Sequence, residues 1–261
     1  MRIDRDDSVL PAWLLDVSTS LEAGLSSIHQ TDLMGIYIHG SIAFGHFVEG
    51  SSDLDILAVV ECDKSDPSTT QAVFESLNLP KCISGIELTT VSVHDLNSDL
   101  LLKPFRYHLN VTANGVRYVT GDKHPGDADL VLHYEVARTV GIAVLGPEAR
   151  DVFLPQTRKI VLEALETELE WALQDKDWPY AVLNASRAQL YIREGRMCSK
   201  LDGWLWARTH ISDTKYLDAA LLAYLSPRDT HRSPLVELPG YQQWACIYVE
   251  NIAREVRGAI D

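Results

Sequence analysis

The sequence predicts an α+β chain in two parts, an N-terminal mixed sheet with helices over residues 1–150 and an all-helical bundle over residues 151–261. Three observations carry that division. Apolar residues switch between helical and strand periods up to Gly146-Pro147, and every apolar segment after that dipeptide keeps the helical period. The length of 261 residues also exceeds the ~100–200 usual for one domain.

Taken in order, Leu10, Leu14, Leu15, Val17, Leu21, Leu25 and Ile28 recur at three- and four-residue steps, which predicts an amphipathic helix from Ser8 to Ile28. Leu33 to His39 and Asp53 to Val60 are short, apolar and β-rich, and read as strands joined by the glycine-bearing stretch Gly40 to Ser52. Ser68 to Leu79 reads as a helix and Ile83 to Val93 as a third strand. Strands interleaved with helices indicate mixed layers rather than a sandwich. In the second part, Ile160 to Leu173, Tyr180 to Arg193, Lys200 to Arg208, Leu217 to Leu225 and Tyr241 to Val256 read as helices. They are punctuated by Asp177-Trp178-Pro179, Ser226-Pro227 and Leu238-Pro239-Gly240.

Composition narrows the function. Hydrophobic residues at 46% and charged residues at 23% are those of an ordinary globular protein. The formal net charge is -14, and the 10 basic and 21 acidic residues up to Arg150 account for -11 of it. An acidic field repels phosphate backbones and attracts cations, so nucleic acid is not the expected partner, while a metal or a cationic small molecule is. Cys62, Cys82, Cys198 and Cys246 form no CxxC pair and are expected to be free thiols. The N-terminus lacks an apolar signal segment and no run approaches the ~20 apolar residues of a membrane span. A cytoplasmic monomer with no membrane partner is expected.

The chemistry is concentrated in His39-Gly40-Ser41-Ile42-Ala43-Phe44-Gly45 and Ser51-Ser52-Asp53-Leu54-Asp55-Ile56-Leu57. Residues two apart in a strand share a face, so Asp53 and Asp55 present their carboxylates side by side. At ~5 Å and an effective dielectric of ~20, two such charges repel by about 3 kcal/mol, and a bound Mg²⁺ reverses the sign. Hard carboxylate oxygens suit that ion, which takes substrate phosphates as further ligands. Gly40 lets the backbone approach a phosphate, and Ser41 offers an N–H and a hydroxyl. Glu87 is the one acid in the otherwise apolar or hydroxyl-bearing run Ile86 to Val91. If its strand lies beside that of Asp53, Glu87 reaches the same place and can accept a proton from an attacking hydroxyl. Each piece alone is commonplace, a turn or a solvated strand end; the combination is not.

These residues resemble the nucleotidyltransferases of the DNA polymerase β superfamily, and most closely the streptomycin/spectinomycin adenylyltransferases. The resemblance spans nearly the whole chain. Asp129-Leu130-Val131-Leu132, Gly146-Pro147 and Val152-Phe153-Leu154-Pro155 are similar to that family's passage between domains. Val182-Leu183-Asn184-Ala185-Ser186-Arg187, with Gly195 and Ser199-Lys200, is similar to its Arg and Lys segment. The resemblance implies a polymerase β-like first domain that transfers AMP from ATP to a hydroxyl of an aminoglycoside or aminocyclitol. It implies that Gly40, Ser41, Ser52, Asp53 and Asp55 hold the triphosphate and Mg²⁺, and that Glu87 is the base. It also implies that Asp129, Arg187, Lys200 and Tyr224 complete ATP binding from the inter-domain cleft.

On the acceptor side the sequence departs from the family. Asp177 fits the acidic position, but Tyr180 stands where an Asn is expected. The Trp and Asp of members that also take streptomycin are replaced by Val111 to Ala113 and by Leu173. Spectinomycin or another hydroxyl compound is therefore the expected acceptor, with Asp177, Tyr180 and Glu87 lining its place. Trp171, Trp178, Trp204 and Trp206 are candidates for pocket walls or for core. The alternatives are the same transfer onto another natural product or a protein hydroxyl, and a nucleotide-sensing protein without catalysis. The presence of Asp53, Asp55 and Glu87 together speaks against the last.

Overall fold

The computed structural model describes residues 11–62, 65–77, 79–112, 114–226 and 238–260. The first residues of the expected opening helix, Ala113 and Pro227 lie outside that set. The chain divides into two compact units: residues up to Asp127 with His133–Pro155, and Ala128–Leu132 with Gln156 onward.

In the first unit the elements run α1 (Ala12–His29), β1 (Leu33–His39), α2 (Gly40–Ala43), β2 (Leu54–Val60), α3 (Pro67–Glu75), β3 (Gly85–Ser92), β4 (Tyr107–Thr112) and β5 (Gly115–Thr120). They continue with α4 (Asp129–Val140), β6 (Ile142–Leu145) and α5 (Ala149–Val152). The first turn of α4 is assigned to the helical unit and the rest to the sheet unit. The six strands form one sheet in the order β5-β4-β3-β2-β1-β6. The β2–β3 pair is parallel and the other pairs are antiparallel. Central β2 is buried at every position but Asp55, as expected for a strand covered on both faces.

Helix α1 buries Leu14, Val17, Leu21, Leu25 and Ile28, the expected stripe, while Leu15 falls off it and is exposed. That stripe shares one core with Ile36 and Ile38 of β1, Leu54 and Ile56 of β2 and Leu109 of β4. Helix α3 starts on Pro67 because the Asp66 side chain accepts from the Thr69 N–H at 2.9 Å. It ends at Glu75 rather than at Leu79, and Pro80 disfavours helical geometry in the residue before it. Sequence periodicity assigns no element between Val93 and Gly146; β4, β5, α4 and β6 occupy that stretch.

The second unit is helical, with α6 (Arg158–Asp175), α7 (Trp178–Glu194), α8 (Lys200–Arg208), α9 (Lys215–Tyr224) and α10 (Tyr241–Gly258). Its centre is α7, which contacts the other four helices and buries Ala181, Val182, Leu183, Ala185, Ala188 and Leu190. Asp177 caps its start and Gly195, at φ 69°, ends it. Helix α8 opens on a capping box of Ser199 and Asp202. It packs so closely on α7 that a Cβ at Gly203 would lie 2.7 Å from the Arg187 backbone N. The α+β class read from the sequence is the one observed.

Candidate active site

The first group is built on three adjacent strands. His39, the last residue of β1, pairs in register with Asp55 of β2, so the turn that follows passes over the Asp55 side chain. Gly40 makes that turn at φ 66°, and a Cβ there would sit 1.7 Å from Asp55 Oδ2. Only a residue without a side chain fits, on both conformational and steric grounds. Ser41 follows, its Oγ buried and without a hydrogen-bond partner among the described atoms. A buried hydroxyl left unsatisfied costs roughly 1–3 kcal/mol, which a polar ligand would relieve. Ser52 is buried too, and its Oγ accepts from the Val48 N–H at 3.0 Å, closing the 48–52 loop that leads into β2.

Asp53 immediately precedes β2, and Asp55 shares its face two residues on. Because β2 and β3 run parallel with Asp55 opposite Glu87, the third acid falls on that face as well. One oxygen from each of Asp53, Asp55 and Glu87 lies within 4.8 Å of the other two, and all three residues are partly buried. Hard oxygens at that spacing match a divalent cation such as Mg²⁺. Next to this group the buried His39 ring packs on His133 of α4, centroids 4.9 Å apart.

The second group lies in the helical unit. Arg187 of α7 donates through Nε to the Cys198 carbonyl at 3.1 Å and through Nη1 to Asn184 Oδ1 at 2.9 Å. Lys200, in the first turn of α8, holds its Nζ 4.7 Å from the Tyr180 ring centroid and 5.5 Å from that of Tyr224. The Tyr180 hydroxyl donates to Glu168 Oε1 of α6 at 2.8 Å, and the Trp171 ring meets Tyr180 edge-on at 5.7 Å. Burial pushes the Glu168 carboxyl up, Asp129 adds to the shift, and Arg187, Lys200 and the Tyr180 hydroxyl only partly offset it. Burial and Glu168 likewise hold the Tyr180 phenol above its ordinary range. Burial disfavours the charge on Arg187, but Glu168 and the neighbouring Cys198, Tyr180 and Asp129 outweigh it, so the guanidinium stays charged.

Of the residues singled out from the sequence, the structure thus brings together Gly40, Ser41, Asp53, Asp55 and Glu87 in one group. It brings together Asp129, Tyr180, Arg187, Lys200 and Tyr224 in another. Asp177 is exposed and serves as the α7 cap, its Oδ1 accepting from the Tyr180 N–H at 3.3 Å. Among the four tryptophans, Trp171 is exposed and Trp206 stacks on His210. Glu168 was missed, although a signal existed: it sits four residues from the buried Ala164 and Ala172, on the apolar stripe of α6. The four cysteines are free.

A mixed sheet thus delivers two carboxylates from one strand and a third from its parallel neighbour, beside a Gly-Ser turn, the arrangement expected from the sequence. No family model matches the chain. It is 26% identical over 270 residues to an aminoglycoside (3'') (9) adenylyltransferase of Rhizobium radiobacter, covering 94% of this chain and 93% of that one. It is also 26% identical to the enzyme of that name from Shigella flexneri, covering 84% and 89%. Among solved structures it is similar to spectinomycin adenyltransferase AAD(9) from Enterococcus faecialis, determined with ATP and spectinomycin. That likeness has a TM-score of 0.69 at 15% identity, covers 92% of this chain and 99% of that one, and establishes the fold. The resemblance drawn from the sequence is borne out by these relatives.

Proposed function

We propose that this protein is a Mg²⁺-dependent adenylyltransferase that moves AMP from ATP onto a hydroxyl of an aminoglycoside or aminocyclitol antibiotic, spectinomycin first among them, and so confers resistance. We take it to act as a cytoplasmic monomer; no helix among the described residues is long and apolar enough to cross a membrane. The convergence of Asp53, Asp55 and Glu87 on one face carries the reading. The names of the relatives and the ligands in the AAD(9) structure support the choice of nucleotide and acceptor.

The donor set fits Mg²⁺: carboxylate oxygens, a turn that only glycine can make against Asp55, and a buried hydroxyl on Ser41 awaiting a partner. Asp53 and Asp55 would hold the ion, with Gly40, Ser41 and Ser52 around the triphosphate. Bound there, the ion would neutralise charge on the phosphates. Glu87 takes the proton of the acceptor hydroxyl as its oxygen bonds to the α-phosphorus; the bond from that phosphorus to the bridging oxygen breaks and pyrophosphate leaves. Arg187 offers the phosphates a planar fork and Lys200 a point charge, while Asp129 and Tyr224 complete the nucleotide contacts. Asp177 and Tyr180 are assigned to the acceptor. The Tyr180 hydroxyl proton is engaged by Glu168, and the Lys200 ammonium lies over its ring.

The test is incubation with ATP, Mg²⁺ and a panel of antibiotics and other hydroxyl compounds, read by mass spectrometry for an added AMP, with GTP and CTP in parallel. Spectinomycin should acquire the adduct, and chelation of the metal should abolish it. Metal-dependent ATP binding with no adduct and no pyrophosphate across the panel would instead indicate a nucleotide sensor. Glu87→Gln should bind ATP nearly as the parent does and lose about 10²–10⁴-fold in turnover, the usual worth of a positioned base. Unchanged turnover removes Glu87 from that role.

A further inference from the structure

Glu168 has no part in the reaction described above, yet its carboxyl lies on the apolar stripe of α6, where Ala164 and Ala172 are buried one turn to either side. A carboxyl in that place costs stability, and an apolar side chain would pack there more favourably. What it holds explains its presence. Its Oε1 accepts the hydroxyl proton of Tyr180, which sits in the first turn of α7, where a helix frays most readily. The face of that same ring carries the Lys200 ammonium, and the Tyr224 ring lies against the ammonium as well.

We propose that Glu168 is a positioning residue: by fixing Tyr180 through its hydroxyl, it holds the Lys200 ammonium against the rings of Tyr180 and Tyr224 and thereby sets the affinity for the nucleotide. The proposal rests on the reading of Lys200 as a phosphate ligand. A lysine brings a long, freely rotating stem to a phosphate site, and holding it in place beforehand removes part of the ordering cost of binding. Aromatic faces suit the task because they attract a cation without neutralising it, leaving its charge for the phosphates. Donation from the phenol to a carboxylate is a strong, directional bond, and it draws electron density toward the ring that carries the cation. The half-exposed Trp171 ring meets that ring edge-on, centroids 5.7 Å apart.

The experiment compares Glu168→Gln, Tyr180→Phe and their double variant in the full chain, with Lys200→Met used to assign the Lys200 ε-methylene signal in lysine-labelled protein by NMR. The parent should show that signal shifted by the two rings. Both single variants should move it toward the free-lysine position and raise the KM for ATP roughly five- to thirty-fold, with kcat within about twofold. The double variant should be no worse than the singles, since they break one device. If Lys200→Met raises the KM but Glu168→Gln and Tyr180→Phe move neither the signal nor the KM, the positioning role is overturned and the nucleotide assignment stands. If the signal moves as described while Lys200→Met leaves the KM unchanged, the positioning stands and the nucleotide assignment of Lys200 falls.

Discussion

At Gly40 a missing carbon shapes the site. Its φ of 66° costs an L-residue about 1–2 kcal/mol, and the Asp55 carboxylate fills the space a side chain would need. Gly45 shares the positive φ but has nothing within 4 Å of the corresponding position. Gly45→Ala should therefore lose only the backbone cost. Gly40→Ala should lose about 2–4 kcal/mol in urea unfolding and, because Asp55 must move, should also bind MgATP more weakly. Equal losses at the two positions would deny the contact its importance. Legibility at this scale followed the cost of each residue in its setting. Glu87 stood out because an acid in an apolar strand needs a reason, whereas Glu168 hid among Glu163, Glu166 and Glu170 of the same helix.

Among elements, α7 was readable because its ends are written in local chemistry, Asp-Trp-Pro at the start and Gly195 at the close. The cap also separates two roles for Asp177. Asp177→Asn keeps an oxygen for the Tyr180 N–H and should leave stability within about 0.5 kcal/mol, while Asp177→Ala should cost about 0.5–2 kcal/mol. Both remove the charge, so both should weaken binding of a cationic acceptor if Asp177 contacts it. Acceptor KM measured beside urea midpoints tells the two apart, and an unchanged acceptor KM in Asp177→Asn would leave Asp177 as a cap alone. The β4–β5 hairpin was not read, although Asn114-Gly115 is a turn signature and Tyr107, Leu109 and Val111 alternate as a buried face. Edge strand β5 has no fully buried residue, and β6 has only four residues, so both owe their existence to pairing rather than to their own pattern.

For the molecule as a whole, the helical unit accepts a stability cost with a definite pH signature. Burial and Asp129 raise Glu168 above the ordinary carboxylate range, against the opposing pull of Arg187, Lys200 and the Tyr180 hydroxyl. With the folded value above the unfolded one, the stabilising contribution is complete below the unfolded value and is lost as pH rises through the folded value. Glu168→Gln cannot ionise, so its stability relative to the parent should increase across that window even though its ATP affinity is lower. Urea midpoints at stepped pH check this, and parallel curves would contradict it.

By itself the sequence determined the succession of mixed layers and helical bundle, the Gly-Ser turn, the paired aspartates and the Asp-Trp-Pro break at the start of α7. Those features depend on periods and contacts within a few residues. The meeting of Glu87 with Asp53 and Asp55 was conditional until strand order and register were known, since a one-residue slip turns a strand's side chains to the opposite face. Only the tertiary structure joined Glu168 to Tyr180 and Lys200, because three helices must pack before those side chains meet.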